Sequence, residues 1–413
     1  MLGNGLNEDG QATKVGSHGV EASFDTVLAG APGRSGGLGK GRAGAYRPAR
    51  PGMDLRLTID RELQQGAAAA LRETVRRQGA SGGTVMIMDS RSGALLASVS
   101  EPSFDPNDLK ALRPDALRDP AVSLPYEPGS VMKVVTVAAG LEQGAVREDS
   151  HYQDDGVIEV AGMTVRNWDR LAHGWTSMER MLQDSLNVGA VWVALQTGQG
   201  PFYAAVDAFG FGEESGVDLA AESQGTVHHP GDPAWYDGFL ASNSYGHGIE
   251  ATPLQVLAAV NAVANDGVLL RPYVVAERIP AEGPSLVTEP LARRQVMSAA
   301  NAAVLRRLLR SVVDNHATAA AVPGYSIGGK TGTTELINAE LGRYDDHATI
   351  ASFCGFLPVE RPVVTICAKV DRPDGRRGSE VAAPLFGEVA RQAVRVLRIP
   401  PDRPDLQQAG VAP

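Results

Sequence analysis

The sequence predicts an α+β fold, with a mainly antiparallel sheet flanked by helices and a helical lobe beside it. Strand-like alternation and short apolar runs occur near both ends of the chain, before about residue 100 and after about residue 326. Between about 105 and 320 the apolar residues follow helical spacing instead. We therefore expect strands from both ends to share one sheet, with the functional cleft between that sheet and the lobe.

The first elements follow a Pro-Gly break. Asp54–Asp60 alternates like a strand, and Thr58 or Asp60 can cap a helix that continues to about Arg77. Two more strands are predicted on either side of a Ser-Arg-Ser-Gly turn, over Gly83–Asp89 and Ala94–Ser100. These strands would form the N-terminal part of the sheet.

The lobe contains three recognisable helix starts. A Pro-Gly break precedes a helix predicted over Ser130–Gly144. Thr176 and Glu179 have the spacing of a capping box, in which a side-chain oxygen and a glutamate satisfy each other's backbone N–H groups. Thr252 is a good N-cap because Pro253 follows it at the first helical position.

The C-terminal part returns to strands and closes with a helix. A hairpin is expected around Glu360, and the last helix should span about Leu385–Arg398. The three predicted strands are Ser326–Thr334, Thr349–Leu357 and Pro362–Val370.

Two cysteines lie on opposite sides of this hairpin. If the turn is near Glu360, Cys354 and Cys367 fall almost opposite each other. Directly opposed side chains have Cβ atoms about 4.5–5.5 Å apart, whereas a disulfide prefers roughly 3.8 Å. We therefore expect both thiols to be reduced.

The chain divides into three parts. Residues 1–50 contain 12 glycines and read as the remnant of a linker or non-catalytic region. Residues 51–400 are expected to form one domain, with the helical lobe at about 105–320. The tail, 401–413, is expected to be flexible. Neither a signal peptide nor an apolar run of about 18 residues is visible.

Composition excludes some classes of function. The formal net charge is −10 and the pI about 5.4, which argues against a nucleic-acid partner because phosphate binding needs clustered Lys and Arg. The two cysteines and eight histidines lack the spacing of a metal site. No metal or cofactor is therefore expected. Only six lysines are present, which makes lysine-containing motifs informative.

The first motif is Ser130-Val-Met-Lys133. Side chains three residues apart on a helix share a face, so the lysine amine can reach the serine hydroxyl. A serine at a helix start also lies where backbone N–H groups favour developing negative charge. Taken alone the motif is weak, since a capping serine followed by a solvated lysine fits it equally well.

The second motif is Lys330-Thr-Gly-Thr333, on a predicted glycine-rich strand. A buried lysine needs an anionic partner or a specific role. Gly332 allows another backbone to approach closely, while Thr331 and Thr333 offer hydroxyls to a carboxylate. The alternative is that this segment is an edge strand, on which the charge of Lys330 prevents aggregation by edge-to-edge strand pairing.

The third motif, Ser185-Leu-Asn187, lies between the other two and follows the predicted capped helix. By itself it would be read as a structural turn. The three motifs in this order are much more specific than any one of them.

Together they resemble the S-x-x-K, S-x-N and K-T-G signature of penicillin-binding proteins and serine β-lactamases. Tyr126–Ser130, Gly248–Gln255 and Ala351–Pro358 look like the class B monofunctional transpeptidases, and Gly16–Asp25 resembles the end of their non-catalytic domain. Asn187 favours the septal or spore-cortex branch. Most of the usual membrane anchor and pedestal is absent, so we expect a trimmed chain or a short member.

The resemblance implies the penicillin-binding-protein/serine β-lactamase-like transpeptidase fold and a role for each motif residue. Ser130 would be the nucleophile and Lys133 its general base, with a pKa lowered by burial and by the neighbouring Lys330. Ser185 would relay the proton to the leaving amine. The other implied roles are amide binding by Asn187, carboxylate recognition by Lys330, Thr331 and Thr333, and an oxyanion hole formed by the N–H groups of Ser130 and Thr333.

The implied activity is peptidoglycan D,D-transpeptidation. The acyl donor would be a stem peptide ending in D-Ala-D-Ala, the acceptor an amine of a neighbouring stem peptide, and β-lactams would acylate Ser130. Expected family partners are a membrane-embedded glycosyltransferase and division proteins, at the extracytoplasmic face of the bacterial inner membrane. Two alternatives remain on the same fold, namely a serine β-lactamase and a β-lactam sensor or binding module without turnover.

Several other side chains are weaker candidates. Trp168, Asp169 and His173 could line the rim of the cleft, although core packing or a loop contact is the simpler interpretation. His228-His229 is interpreted as a loop. His247, on the lobe facing the cleft, is kept as a minor candidate for substrate contact.

Overall fold

The structure is a computed structural model, and it describes residues 2–6, 12–35, 46–105, 108, 117–338, 343–374 and 377–404. Parts of the predicted lead-in (36–45) and of the predicted tail (405–413) therefore lie outside the described residues. Within the described ranges, no helix combines the length and apolarity needed to cross a membrane.

Helices account for much of the described chain, and most of them are short. The α-helices are α1 Gly19–Ser23, α2 Asp25–Leu28, α3 Arg61–Arg77, α4 Pro120–Ser123, α5 Lys133–Glu142, α6 Met178–Gln183, α7 Asn187–Thr197, α8 Gln199–Ala208, α9 Phe239–Ser244, α10 Pro253–Ala264, α11 Ala299–Asn315 and α12 Gly378–Val396. Gly129–Met132 and Thr318–Ala320 form 3₁₀ turns.

The strands fall into one large sheet and several small ones. They are β1 Leu2–Leu6, β2 Ala12–Gly16, β3 Arg34–Ser35, β4 Tyr46–Arg47, β5 Asp54–Leu57, β6 Gly82–Asp89, β7 Leu95–Glu101, β8 His151–Asp154, β9 Val157–Val160, β10 Met163–Arg166, β11 Gly174–Ser177, β12 Val268–Leu270, β13 Val275–Ile279, β14 Leu286–Val287, β15 Ala292–Gln295, β16 Gly328–Asn338, β17 Arg343–Leu357 and β18 Val364–Asp371.

The central sheet has five strands in the order β16-β17-β18-β6-β7, and every neighbouring pair is antiparallel. Strands from the N-terminal and C-terminal parts of the chain thus meet at the β18–β6 pair, which confirms the predicted α+β arrangement. The predicted strand at Asp54 exists, but it pairs with β13 in a separate three-stranded sheet.

Helices cover both faces of the central sheet. α3 and α12 pack together on one face, where the rings of Phe353 and Phe386 lie 4.6 Å apart. α10, which is buried along its whole length, packs on the other face. Burying these apolar helices on a sheet that is itself buried provides the main driving force for the fold. It also holds β16 rigidly at one edge.

The inserted lobe is less purely helical than its apolar spacing predicts. Four two-stranded pairings (β8–β11, β9–β10, β12–β15 and β13–β14) interrupt it. Thr252 and Gln255 form the predicted cap of α10, with the reciprocal bond of a capping box. The predicted helix over Ser130–Gly144 begins as a 3₁₀ turn and becomes α-helical only from Lys133.

Two predicted helix starts are wrong. Ser177, not Thr176, caps α6: Thr176 is buried in β11 opposite Tyr152, whereas Ser177, the last residue of that strand, accepts from the N–H of Arg180. The last helix begins seven residues before the predicted Leu385, at Gly378, and continues through Pro384. Its early turns are buried against the sheet, so packing outweighs the local signal of the proline.

The prediction of reduced cysteines is also wrong. Cys354 and Cys367 are directly opposed on β17 and β18, as expected, but they form a disulfide. Their Cα atoms are only 4.1 Å apart, closer than typical opposed residues, and this brings the sulfur atoms within bonding distance. Cys354 is also directly opposite Lys330 on β16, so the disulfide lies beside Lys330 on the same face of the sheet.

Candidate active site

Ser130 lies in the 3₁₀ turn that precedes α5, and its side chain is half-buried. Residues three apart are eclipsed on a 3₁₀ turn, so Ser130 and Lys133 project from the same side. Gly129 starts the turn with φ +56°, and its N–H donates to the carbonyl of Gly246. The turn is therefore fixed against the lobe just before the serine.

Lys133 is completely buried at the start of α5. Its Nζ donates to the carbonyl oxygen of Ser185 at 2.6 Å, to Asn187 Oδ1 at 2.8 Å and to Ser185 Oγ at 3.3 Å. Burial, followed by the nearby Lys330 ammonium, holds the pKa of Lys133 well below its usual range. The lowered pKa favours loss of the Lys133 proton, and the neutral amine is the form that can act as a base.

Ser185 lies between α6 and α7 and has a left-handed backbone conformation, φ +55°, which is uncommon for a serine. Such outliers persist only where surrounding contacts enforce them. Here the carbonyl and the hydroxyl of Ser185 both face Lys133. Asn187, the first residue of α7, is anchored by a hydrogen bond from Nδ2 to the carbonyl of Arg166.

Lys330 is completely buried on β16 and reaches Ser185 from the opposite side. Its Nζ donates to Ser185 Oγ at 2.9 Å, and to the hydroxyl and carbonyl of Thr331 at 3.2 and 3.3 Å. Burial lowers the pKa of Lys330 to about 7. The three sequence motifs therefore meet at one atom, the Ser185 hydroxyl oxygen, between two buried amines.

The rest of the β16 motif lies against the serine turn. A Cβ atom on Gly332 would lie 2.9 Å from the Pro128 carbonyl and 2.3 Å from Ser352 Oγ, so only glycine allows this approach. Thr333 Oγ1 accepts a hydrogen bond from the N–H of Gly378 at 3.0 Å, and its own proton stays available to a ligand. The strand and the turn together form one wall of the cleft.

Sequence analysis assigned no role to Glu127, whose carboxylate forms a small hydrogen-bonded cluster close to Ser130 in the chain. The carboxylate of Glu127 accepts from the N–H of Gly248 at 2.7 Å and from the Tyr344 hydroxyl at 3.1 Å. Burial raises the pKa of this carboxyl. Glu127 lies three residues before Ser130, within the Tyr126–Ser130 segment, and this position is the sequence signal that could have indicated it.

His247 lies in the turn that supports Ser130. Its ring contacts the rings of Tyr245 and Tyr344, with centroids 5.1 and 5.3 Å away, and its Nδ1 is buried with no hydrogen-bond partner. Burial, followed by the charge on Lys133, lowers the pKa of His247 to about 4. The imidazole is therefore neutral, next to the site.

The remaining candidates lie at the rim or further away. Trp168 is half-exposed, and its Nε1–H donates to the carbonyl of Asp184, the residue before Ser185. The Nε2–H group of His173 donates to Asp169 Oδ2 at 2.8 Å. His228 and His229 are in a loop, as predicted, where they contact Phe239 and Asp207.

Comparison with known proteins gives a consistent result. The family model described as the penicillin binding protein transpeptidase domain matches residues 83–391. Stage V sporulation protein D of Bacillus subtilis is 33% identical over 407 residues, covering 94% of this chain and 62% of that protein. Penicillin-binding protein PbpB of Mycolicibacterium smegmatis is 33% identical over 417 residues, covering 96% and 63%. The chain thus spans about three fifths of the length of these relatives.

Solved structures share the fold. The crystal structure of penicillin binding protein 3 from Mycobacterium tuberculosis, complexed with aztreonam, aligns with a TM-score of 0.84 and 31% identity, over 97% of this chain and 88% of that one. The transpeptidase domain of penicillin-binding protein 3 from Burkholderia pseudomallei aligns with a TM-score of 0.72 and 26% identity, over 84% and 97%.

Proposed function

Because this chain belongs to the penicillin-binding protein transpeptidase family, we propose that it is a peptidoglycan D,D-transpeptidase acting through an acyl-enzyme on Ser130. The proposal rests on one observation: the amines of Lys133 and Lys330 both donate to the Ser185 hydroxyl, and Lys133 lies three residues after Ser130. The donor is a stem peptide ending in D-Ala-D-Ala and the acceptor is an amine of a neighbouring stem peptide.

In the first half-reaction the Ser130 oxygen attacks the carbonyl carbon of the penultimate D-Ala, and its proton passes to the neutral Lys133 amine. The N–H groups of Ser130 and Thr333 stabilise the oxyanion. The C–N bond then breaks, and Ser185 passes a proton from Lys133 to the leaving D-Ala amine. The contact from Lys133 to Ser185 Oγ supports this route.

In the second half-reaction an acceptor amine attacks the ester carbon and gives a proton to Lys133, which passes it to the Ser130 oxygen as the ester C–O bond breaks. Asn187 holds the substrate amide. Lys330 polarises Ser185 and directs positive charge toward the donor's carboxylate, which the Thr331 and Thr333 hydroxyls bind. A β-lactam follows only the first half-reaction, because its leaving amine stays attached to the acyl group.

The setting of this activity is also a proposal. We assign residues 51–400 to the transpeptidase domain, with 1–50 as the end of a preceding non-catalytic region. The similarity to stage V sporulation protein D and to PbpB supports a septal or spore-cortex role at the extracytoplasmic face of the inner membrane. A membrane-embedded glycosyltransferase and division proteins are the proposed partners.

Labelling with a fluorescent penicillin tests the nucleophile. The unmodified protein should gain one penicilloyl adduct, seen as a fluorescent band and as a mass increase mapped to Ser130. Ser130→Ala should stay unlabelled, whereas Ser123→Ala, at a half-buried serine that ends α4, should label normally. Undiminished labelling of the Ser130→Ala variant would contradict the proposed function.

A further inference from the structure

Arg377 presents a positive charge at the edge of the cleft. It is exposed, it immediately precedes α12, and it forms no ion pair with a carboxylate in the part of the chain that the structure describes. Its guanidinium instead lies over the ring of Trp168, 4.1 Å from the centroid. Arginine stays protonated at any pH of interest. Arg377 is therefore a permanent cation without an anionic partner.

Its neighbour ties it to the wall of the cleft formed by β16. The N–H of Gly378 donates to Thr333 Oγ1 at 3.0 Å. A Cβ atom on Gly378 would lie 2.3 Å from the carbonyl oxygen of Gly332, so the two backbones are in direct contact. Arg377 is therefore held close to Thr333, the residue whose hydroxyl is proposed to bind the donor's carboxylate.

Trp168 ties it to the opposite wall. The indole N–H donates to the carbonyl of Asp184 at 2.8 Å, next to Ser185. The preceding residue, Asn167, is buried, and it is fixed by bonds to Asp154 and to the N–H of Val188. The guanidinium therefore lies between the wall that carries Ser185 and the wall that carries Thr333.

The lysines of the site are poorly suited to hold a carboxylate by themselves. The Lys330 amine is buried and its hydrogen bonds go to Ser185 and Thr331. With a pKa of about 7 it loses its charge above neutrality, and the pKa of Lys133 is also strongly lowered. A carboxylate that leaves water needs charge-assisted hydrogen bonds, which neutral hydroxyls supply only in part.

We propose that Arg377 is a substrate-binding residue that leaves the Trp168 ring to pair with the terminal carboxylate of the acyl donor. This inference rests on the proposed function of the Ser130 site. An exposed cation–π contact favours the stacked position by only about two- to fivefold. A bidentate guanidinium–carboxylate pair is stronger, so a bound donor draws the side chain inward. Trp168 then holds the arginine ready when the site is empty.

The test compares a charged acylating agent with a neutral one. The second-order acylation constant is measured for benzylpenicillin and for its methyl ester, in which the carboxylate is masked. Arg377→Ala should lower the constant for the acid about tenfold, the usual effect of losing one charge-assisted bond, and change that for the ester less than about twofold. Arg377→Lys should be intermediate, because lysine keeps the charge but not the fork.

Arg391→Ala, at an exposed arginine within α12, is the matched control and should leave both constants unchanged. Equal losses for acid and ester in Arg377→Ala would mean that the arginine only shapes the rim, and no loss for either would mean that it is a bystander. Either result overturns the inference, as would a wild type that does not prefer the acid. Absence of any adduct on wild-type Ser130 would overturn the proposed function itself.

Discussion

At the scale of single residues, the sequence indicated which side chains lie together in the candidate site but not how they contact one another. The motif spacing indicates that Ser130, Lys133 and Lys330 are chemically linked. The central position of Ser185 depends on its left-handed backbone and on helix packing, and neither has a local signal. Tyr344 was missed because it reaches Glu127 only through the fold.

The two lysines should respond differently to arginine. Lys133→Arg should abolish acylation, because a guanidinium cannot give up its proton to become a base. Lys330→Arg should retain part of the activity. The wild-type acylation constant should fall above pH 7 as Lys330, with a pKa of about 7, loses its charge, whereas Lys330→Arg should lack this decline. The measurement is the acylation constant from pH 6 to about 9.

Lys369→Arg is the matched control for both variants. This lysine is also buried, but it pairs with Asp371 on β18 rather than with the site. It should keep the activity and the alkaline decline of the wild type. Complete and equal loss in the Lys133 and Lys330 variants would show that the roles of base and cation are wrongly divided.

At the scale of elements, periodicity and turn chemistry predicted most strands and helices, and the errors have long-range causes. Thr176 is drawn into a strand by β8, and the first turns of α12 are stabilised by the sheet beneath them. In the sequence, the positions where two backbone segments pack closely together are marked only by glycines. The contact between Gly246 and the serine turn is the clearest case, since a Cβ on Gly246 would lie 2.1 Å from the Gly129 carbonyl oxygen.

Gly246→Ala should displace the serine turn. The added methyl collides with backbone, and φ is +86°, so we expect a loss of about 2–4 kcal/mol in the free energy of unfolding and a large loss of acylation. Gly162→Ala is the control, because Gly162 has a similar φ of +79° but open space around it. It should cost only about 1 kcal/mol and leave acylation intact. Denaturant unfolding and labelling measure both, and equal effects would refute the role of the contact.

The disulfide should stabilise the sheet next to Lys330. Thiol titration of the unfolded, unreduced protein should find no free thiol. Replacing Cys354 and Cys367 together by alanine should lower the free energy of unfolding by about 2–3 kcal/mol, because the bond closes a loop of sequence separation 13 in the unfolded chain. Two free thiols in the untreated protein, or unchanged stability in the double variant, would contradict this.

At the scale of the whole molecule, the arrangement of sheet and inserted lobe was predictable because strand and helix patterns occupy separate stretches of sequence. Which surfaces face each other across the cleft was not. The contact of Trp168 with Arg377 joins two loops that carry no shared motif, and it depends on the packing of the lobe and α12 as complete units.

The complete site should form a long-lived acyl-enzyme. Glu127, three residues before Ser130, is already held by Gly248 and Tyr344, so it is poorly placed to activate water. We expect the penicilloyl adduct to persist for at least tens of minutes. Intact-mass spectrometry over hours measures the decay. Fast recovery with excess hydrolysed drug would favour a β-lactamase, and failure of a bound peptide acyl group to transfer to an added amine would favour a sensor.

The order of the central sheet also determines when, during synthesis, the candidate site can form. Ser81 donates to the carbonyl of Asp371, 290 residues further along the chain, so β6, already paired with β7, lacks its second partner until β18 has been synthesised. During that time the apolar edge of β6 lacks the strand that covers it, a state prone to wrong pairing. Ser130 is synthesised well before Lys330, so a growing chain carries Ser130 without the complete candidate site until β16 has been made. The proposed activity therefore requires β16 to have emerged and paired, and a messenger broken before β16 cannot encode the complete site.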